Sequence, residues 1–171
     1  MKKFDKPLME TAKIWANMSY CVRLKVGAVL ALDGRIIGTG YNGTLNGTEN
    51  CCEEIVGQET CSDCEGKGYF EIEGVVISDC ERCGGVGKIN TLKTKEEVLH
   101  AEQNVITFCA KNGLSTNNTT MYITAAPCTM CAKLIVQSGI KEVVYLKDYR
   151  SDDGFKLLKK GGVIVRKYEE D

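Results

Sequence analysis

Residues 119–146 read TTMYITAAPCTMCAKLIVQSGIKEVVYL, and this stretch decides the fold class. Its first nine residues are rich in β-branched and aromatic side chains and end at a proline, which predicts a strand. Residues 128–138 are predicted as a helix, and KEVVYL at 141–146 as a second strand. A strand, a helix and a strand in succession form a crossover between parallel strands, so this part of the chain indicates an α/β protein.

The rest of the chain continues the alternation of helices and strands. Residues 25–41, KVGAVLALDGRIIGTGY, predict two strands joined by Asp33-Gly34, a dipeptide typical of two-residue hairpin turns. Further helices are predicted over 7–21, 98–112 and 152–160, and a last strand over 162–168. The order predicts a layered α/β domain with a mixed sheet, antiparallel at its start and parallel where helices cross over.

Composition limits the class of protein. The 171 residues suit a single domain, 1–171, and no apolar run approaches the roughly 20 residues that cross a bilayer, so no membrane span is expected. A net charge of -1 without a long basic run argues against stable nucleic-acid binding. The N-terminus is charged where a signal peptide is apolar, which predicts a cytoplasmic protein, in the host cytoplasm if the chain comes from a phage. In a reducing compartment, ten cysteines indicate metal binding or catalysis rather than disulfides.

Residues 45–91 interrupt the alternation and are interpreted as an inserted zinc-binding segment. CSDCEGKG at 61–68 and CERCGGVG at 80–87 share the pattern C-x-x-C-x-G-x-G, and the YFEIEGVVIS between them is compatible with a short pair of strands. The spacing C-x2-C-x15-C-x2-C fits a four-thiolate structural zinc site, with glycines that let backbone amides approach the sulfurs. The predicted ligands are Cys61, Cys64, Cys80 and Cys83. The repeat resembles half of the cysteine-rich domain of J-domain chaperones, which implies a local zinc knuckle and no chaperone activity.

A second constellation combines the only histidine of the chain with another cysteine pair. HAE at 100–102 and PCTMC at 127–131 each fall near a predicted helix start, where free amides and the helix dipole favour thiolates. His100, Cys128 and Cys131 would give zinc three ligands and leave a fourth position for water, the arrangement of a catalytic site. Zinc brings the pKa of bound water to about 7, and Glu102 is placed to move protons. The pair H-x-E and P-C-x-x-C is the signature of zinc-dependent nucleobase deaminases.

With these motifs, the chain resembles the cytidine deaminase superfamily, and within it the deoxycytidylate deaminases of bacteria and phages. The resemblance also covers SYCVRLKVGAVL at 19–30, GYNGT at 40–44 and YLKDYRSDDG at 145–154. It implies a three-layer α/β/α fold around a mixed five-stranded sheet. It also implies hydrolysis of deoxycytidine monophosphate (dCMP) to dUMP, with attack of zinc-activated water on C4 of cytosine and Glu102 as the proton shuttle.

The same resemblance implies binding roles for further residues. Asn42 would hold the deoxyribose hydroxyl, the amide region of Ala101 the base carbonyl, and Arg23 with Tyr149 or Arg150 the 5'-phosphate. Family members are typically homo-hexamers or other oligomers, activated by dCTP and inhibited by dTTP. The implied effector-binding residues are Gly40, Tyr41, Gly43 and Thr44. Relatives often bind a second zinc partly through histidine, which the four cysteines of this chain would replace.

Other interpretations remain open from the sequence. A deaminase of dCTP, a nucleoside or a nucleic acid would use the same motifs, and a zinc-stabilised binding module would leave the H-x-E site idle. The remaining cysteines carry separate expectations: Cys21 and Cys109 fall on apolar faces of predicted helices and are expected in the core. Cys51 and Cys52 are ambiguous, and either could exchange into the zinc site of the insertion.

Overall fold

A computed structural model describes residues 2–149 and 151–170. The chain divides into two compact units, one formed by residues up to Cys52 and from Glu97 onward, and the other by Glu53–Glu96. The elements of the first unit are α1 (Asp5–Ala16), β1 (Gly27–Leu32) and β2 (Arg35–Tyr41). The second unit contains β3 (Glu53–Thr60), β4 (Tyr69–Ile72), β5 (Val75–Asp79) and β6 (Lys88–Thr94). The first unit then continues with α2 (Ala101–Lys111), β7 (Thr120–Ala125), α3 (Thr129–Gln137), β8 (Glu142–Lys147), α4 (Asp153–Lys160) and β9 (Ile164–Lys167).

The five strands of the first unit form one mixed sheet in the order β2-β1-β7-β8-β9. β1 pairs antiparallel with both β2 and β7, whereas β7-β8 and β8-β9 are parallel pairs. The β1-β2 turn is at Asp33 and Gly34, whose positive φ angles of 49° and 76° suit the tight turn that their sequence predicts. The predicted α/β class and the five-stranded mixed sheet are confirmed.

Alternate residues of the central strands enter two separate cores, one on each face of the sheet. On one face, Leu30 and Ile123 pack with residues of α2, α3 and α4. On the other face, Val29 and Tyr122 pack with α1. This period of two is what a sheet covered by helices on both faces requires. The three-layer arrangement is therefore confirmed.

A buried ion cluster joins α1 to β8 and β9. Asp5 is fully buried and accepts two hydrogen bonds from the Arg166 guanidinium, both 3.0 Å long, and a third from Tyr122 Oη. Arg166 Nε also donates to Glu142 at 2.6 Å, and Lys2 Nζ donates to the other Glu142 oxygen at 2.7 Å. Burial alone would raise the pKa of both carboxyls, but these hydrogen bonds and charges lower the pKa of each below its ordinary value. The cluster is thus stabilised as ion pairs.

The first helix and the nearby cysteines differ from the sequence-based expectations. The helix predicted over 7–21 ends at Ala16, and residues 17–26 form a loop. Ser19 and Cys21 are buried in that loop, because the Ser19 hydroxyl donates to the Asn42 carbonyl and Cys21 forms a disulfide with Cys52. Cys21 is buried in a small core cluster as expected, but it lies in a loop rather than on a helix, and its disulfide was not expected. Cys109 does lie in the core, fully buried on α2.

The second unit is built from two antiparallel strand pairs, β3-β6 and β4-β5. The β4-β5 pair lies in the YFEIEGVVIS segment, as the sequence suggested. The β3-β6 pair was not anticipated, although both strands contain β-branched residues. In the described part of the chain, no helix is long and apolar enough to span a membrane. The sequence predicts an insertion at 45–91, and the compact second unit of the structure spans Glu53–Glu96. That residues 45–91 are an insertion into a single deaminase domain remains a proposal.

Candidate active site

The starts of α2 and α3 bring His100, Cys128 and Cys131 together. His100 and Cys128 are the N-cap residues of the two helices, and Cys131 follows in the first turn of α3. The Sγ atoms of Cys128 and Cys131 lie 3.6 Å and 3.4 Å from His100 Nδ1. Ligands at zinc distances of about 2.3 Å for sulfur and 2.0 Å for nitrogen, in tetrahedral directions, would be about 3.6 Å apart. The three side chains therefore fit one zinc ion with a fourth position available.

The three groups hydrogen-bond with one another, and this coupling shifts their pKa values. A hydrogen bond from the Cys131 thiol, with a further one from His100, lowers the pKa of Cys128 to about 3 against the opposing effect of burial. The bond with Cys128, together with burial, raises the pKa of Cys131 far above its ordinary value. The pKa of His100 is raised, chiefly by its hydrogen bond with Cys128. One buried and one half-buried sulfur thus share protons that a bound metal ion would displace.

Glu102 lies in the first turn of α2, two residues after His100, and is only 3% exposed. Burial raises the pKa of Glu102 to about 7, although its backbone amide and the charge on His100 oppose the shift. A carboxyl group with a pKa near neutrality can both accept and donate a proton at physiological pH. Glu102 is therefore suited to general acid and base catalysis beside the three candidate ligands.

Several contacts hold the two helix starts in place. The Gln103 side chain accepts a hydrogen bond from the His100 backbone amide at 2.7 Å and so caps α2. On α4, Gly154 lies against the chain just before α3, where a Cβ atom would be only 2.1 Å from the carbonyl oxygen of Pro127. Only glycine permits this close approach, so α4 packs directly behind the segment that carries Cys128.

Comparison with known proteins identifies the family of the chain. The profile of the family described as the cytidine and deoxycytidylate deaminase zinc-binding region matches residues 2–147. The chain belongs to this deaminase family. Deoxycytidylate deaminase of Enterobacteria phage T4 is 35% identical over 169 residues, which cover 92% of this chain and 86% of that protein. Deoxycytidylate deaminase of Mycobacterium phage D29 is 34% identical over 145 residues, covering 85% of this chain and 95% of that protein.

A solved deaminase structure has the same fold over nearly the whole chain. The crystal structure of dCMP deaminase from the cyanophage S-TIM5 in complex with dCMP and dUMP superposes with a TM-score of 0.73 at 33% sequence identity. The match covers 98% of this chain and 99% of that chain. The resemblance to the deaminase family that the motifs suggested is thereby confirmed.

The predicted substrate-binding residues of this deaminase occupy different environments. Ala101 is fully buried at the start of α2, next to His100. Asn42 is 9% exposed, and its carboxamide donates to the Leu24 carbonyl at 2.8 Å and accepts from the Val26 amide at 2.7 Å. Its side chain thereby shapes the loop after Arg23. Arg23 and Tyr149 are exposed, and Arg150 lies outside the described residues.

The four predicted effector-binding residues line one cavity at the end of β2. Its volume is about 700 Å³, within the range of small-molecule sites. Gly40, Tyr41, Gly43 and Thr44 line it together with Asn104 of α2. Asn104 was not singled out by the sequence interpretation, although it lies only two residues after the HAE motif.

The four cysteines of the second unit converge as their spacing predicts. All four are buried, with Cys61 Sγ 3.8 Å from Cys80 Sγ and Cys64 Sγ 3.7 Å from Cys83 Sγ. Sulfurs on one tetrahedral zinc ion would be about 3.8 Å apart. The Gly68 amide donates to Cys64 Sγ and the Gly87 amide to Cys83 Sγ, each at 3.2 Å. The set therefore fits a closed four-thiolate site.

Proposed function

We propose that this chain hydrolyses dCMP to dUMP and ammonia. The observation that carries the proposal is the buried Glu102, whose pKa is about 7, in the same helix turn as one of three converging metal ligands. The names of the T4 and S-TIM5 relatives support dCMP as the substrate. The cytoplasm is the proposed compartment, because all seven cysteines of the chain outside the Cys21–Cys52 disulfide, Cys51 aside, are buried or half-buried free thiols and six of them are candidate metal ligands.

The reaction would exchange the 4-amino group of cytosine for oxygen. A zinc ion held by His100, Cys128 and Cys131 would supply an activated water for attack on C4 of the ring. Glu102 would accept a proton from this water and deliver it to N3, and then carry the second proton to the departing amino group. The C4–O bond forms, the C4–N bond breaks, and ammonia leaves from a ring that has become uracil.

Substrate orientation is proposed to come from the residues around the site. Asn42 uses one N–H and one lone pair on the 24–26 loop, so its second N–H is available for the deoxyribose hydroxyl. The backbone amide at Ala101 would bind the base carbonyl. Arg23, with Tyr149 or Arg150, would bind the 5'-phosphate, for which an arginine fork is well suited.

We further propose two zinc ions per chain, one catalytic and one structural. The sulfur spacings of Cys61, Cys64, Cys80 and Cys83 support the structural ion. Metal analysis of the purified protein should give two equivalents of zinc. A single equivalent would contradict this stoichiometry.

We also propose that the enzyme is regulated by nucleoside triphosphates and assembles as a homo-oligomer. The cavity lined by Gly40, Tyr41, Gly43 and Thr44 is large enough for dCTP or dTTP, which would activate and inhibit the enzyme respectively. Exposed apolar side chains at Ile14 (65%) and Val22 (72%) support burial in a homo-oligomer, proposed as a hexamer. Light scattering measures the subunit number, and rates with and without each triphosphate measure the regulation.

The substrate assignment is tested by offering dCMP, dCTP, deoxycytidine and a cytosine-containing oligonucleotide to the protein. Loss of cytosine absorbance and release of ammonia are followed for each. We expect turnover of dCMP. Turnover of the oligonucleotide alone would replace the proposed substrate with a nucleic acid, and no turnover of any substrate by protein with two zinc ions would favour a binding module.

A further inference from the structure

The segment Tyr41–Gly43, at the end of β2, is hydrogen-bonded to both ends of the turn that carries His100 and Glu102. Gly43 and Leu99 form a two-bond bridge, with N···O distances of 3.0 Å and 2.9 Å. Five residues later, Asn104 Nδ2 donates to the Tyr41 carbonyl at 2.6 Å. The metal ligand and the acid therefore lie between two attachments to the same short segment.

The same segment also holds the 19–26 loop. The Asn42 backbone amide donates to the Val26 carbonyl at 3.0 Å, and the Asn42 carbonyl accepts from the Ser19 hydroxyl at 2.8 Å. With the two side-chain bonds of Asn42 to this loop, the segment is attached to residues 19–26 by four hydrogen bonds. Tyr41–Gly43 thus determines how the catalytic turn and the loop containing Arg23 lie relative to each other.

The two attachments of the catalytic turn differ in kind. The Gly43–Leu99 bridge involves only backbone atoms, whereas the second attachment depends on the Asn104 carboxamide. A Cβ atom on Gly40 would come within 2.7 Å of the Ala101 carbonyl oxygen, so the helix already lies directly on the strand. Packing at Gly40 limits how closely α2 approaches β2, but it leaves movement along the strand open. A directional bond between Asn104 and Tyr41 restricts that movement.

We propose that Asn104 is a positioning residue for deamination. Its hydrogen bond to the Tyr41 carbonyl fixes the placement of His100 and Glu102 relative to the loop that binds the nucleotide. This inference rests on the proposed deaminase function for its kinetic consequence. Its geometric consequence, the orientation of His100 toward a metal, is measurable without turnover.

The test uses Asn104→Asp, which keeps the size of the side chain but replaces the donor with a carboxylate facing the Tyr41 carbonyl. Asn112→Asp is the matched control, because it makes the same substitution at the end of the same helix, where the exposed Asn112 side chain donates only to the Phe108 carbonyl at 2.8 Å, outside the cavity. Asn104→Gln keeps a donor on a longer side chain and should recover part of the loss. Folding of each variant is verified by circular dichroism before the assays.

We expect Asn104→Asp to retain two zinc ions and to lose roughly 10- to 100-fold in kcat for dCMP, as displacements of about 1 Å in an active site do. The visible absorption bands of the cobalt-substituted protein should shift in Asn104→Asp and not in Asn112→Asp. Unchanged kcat and unchanged cobalt bands, with only a lower melting temperature, would overturn the inference. If the wild type does not turn over dCMP, the proposed function fails, and the cobalt spectra alone decide the role of Asn104.

Should Asn104→Asp not fold, Asn104→Ala replaces it, because it removes the donor without adding charge. Cobalt spectra and a kcat equal to those of the wild type in Asn104→Ala would then reject the positioning role.

Discussion

Replacing Gly154 with alanine separates the effect of packing from that of helix propensity, because the two change the free energy of unfolding in opposite directions. Alanine in a helix is favoured over glycine by about 0.5–1 kcal/mol, so an unconstrained Gly154→Ala would stabilise α4. In this structure the added Cβ would lie 2.1 Å from the Pro127 carbonyl oxygen and 3.3 Å from the carbonyl carbon of Cys128. The 2.1 Å distance is about 1 Å shorter than an ordinary contact. Both neighbours are backbone atoms, which cannot rotate away as a side chain could.

The expected result is a less stable and slower enzyme. Overpacking of this kind costs about 1–3 kcal/mol, which outweighs the gain in helix propensity. Since Cys128 is next to Pro127, a displacement of about 1 Å should also lower kcat for dCMP by up to roughly 100-fold. Urea unfolding measures the first effect, and absorbance kinetics at matched zinc content measures the second.

Gly57→Ala is the control, because its Cβ would meet Thr91 at 3.6 Å, an ordinary contact distance. It should leave kcat unchanged. If Gly154→Ala is as stable as the wild type and equally active, the close approach of α4 to the Cys128 segment is not what fixes the site.

Three further predictions concern the proposed proton shuttle, the structural zinc site and the buried ion cluster. Glu102→Gln should keep two zinc ions yet lose at least roughly 100-fold in kcat, and normal deamination would exclude a proton-transfer role. Replacing Cys61 and Cys64 with serine should release one zinc equivalent and lower the melting temperature, since structural zinc contributes to folding. Arg166→Met leaves the buried Asp5 carboxylate without its main partner and should cost about 3–5 kcal/mol in urea unfolding at pH 7. Because the pKa of Asp5 is lowered by folding, this stabilisation exists above the unfolded pKa of about 4 and is lost as pH falls further, so the deficit should narrow in acid. A pH-independent deficit would contradict the ion-pair assignment.

The fold could be predicted because hydrophobic periodicity reports directly on burial. The β-branched segments before and after the helix at 128–138 predicted a pair of parallel strands, and Asp33-Gly34 predicted the antiparallel hairpin. Both are local signals, and together they indicated the mixed sheet. The first helix was extended too far because Ser19 and Cys21 are buried by other means, a hydrogen bond to the Asn42 carbonyl and a disulfide to Cys52. Burial by a distant partner leaves no periodic signal in the sequence.

In the candidate site, residues recognisable by type and spacing were predicted, and residues that act through a contact with a distant part of the chain were not. The candidate metal ligands, which the structure brings together, could be selected from the sequence because zinc accepts few residue types and their spacing follows from coordination geometry. Asn104 and Gly154 were missed because each acts on a backbone atom, the Tyr41 and Pro127 carbonyls. A carbonyl oxygen is present at every position of the chain, so its partners cannot be recognised until the fold brings them together.

The pairing of β3 with β6 makes the Glu53–Glu96 unit a module with a two-stranded stem. Glu53 and Thr94 are register partners, so the points where the chain enters and leaves are separated by about 5 Å, the spacing of adjacent strands. A two-residue hairpin turn closes such a gap. The residues between β3 and β6 could therefore be shortened or exchanged without changing the separation of the two ends of this stem.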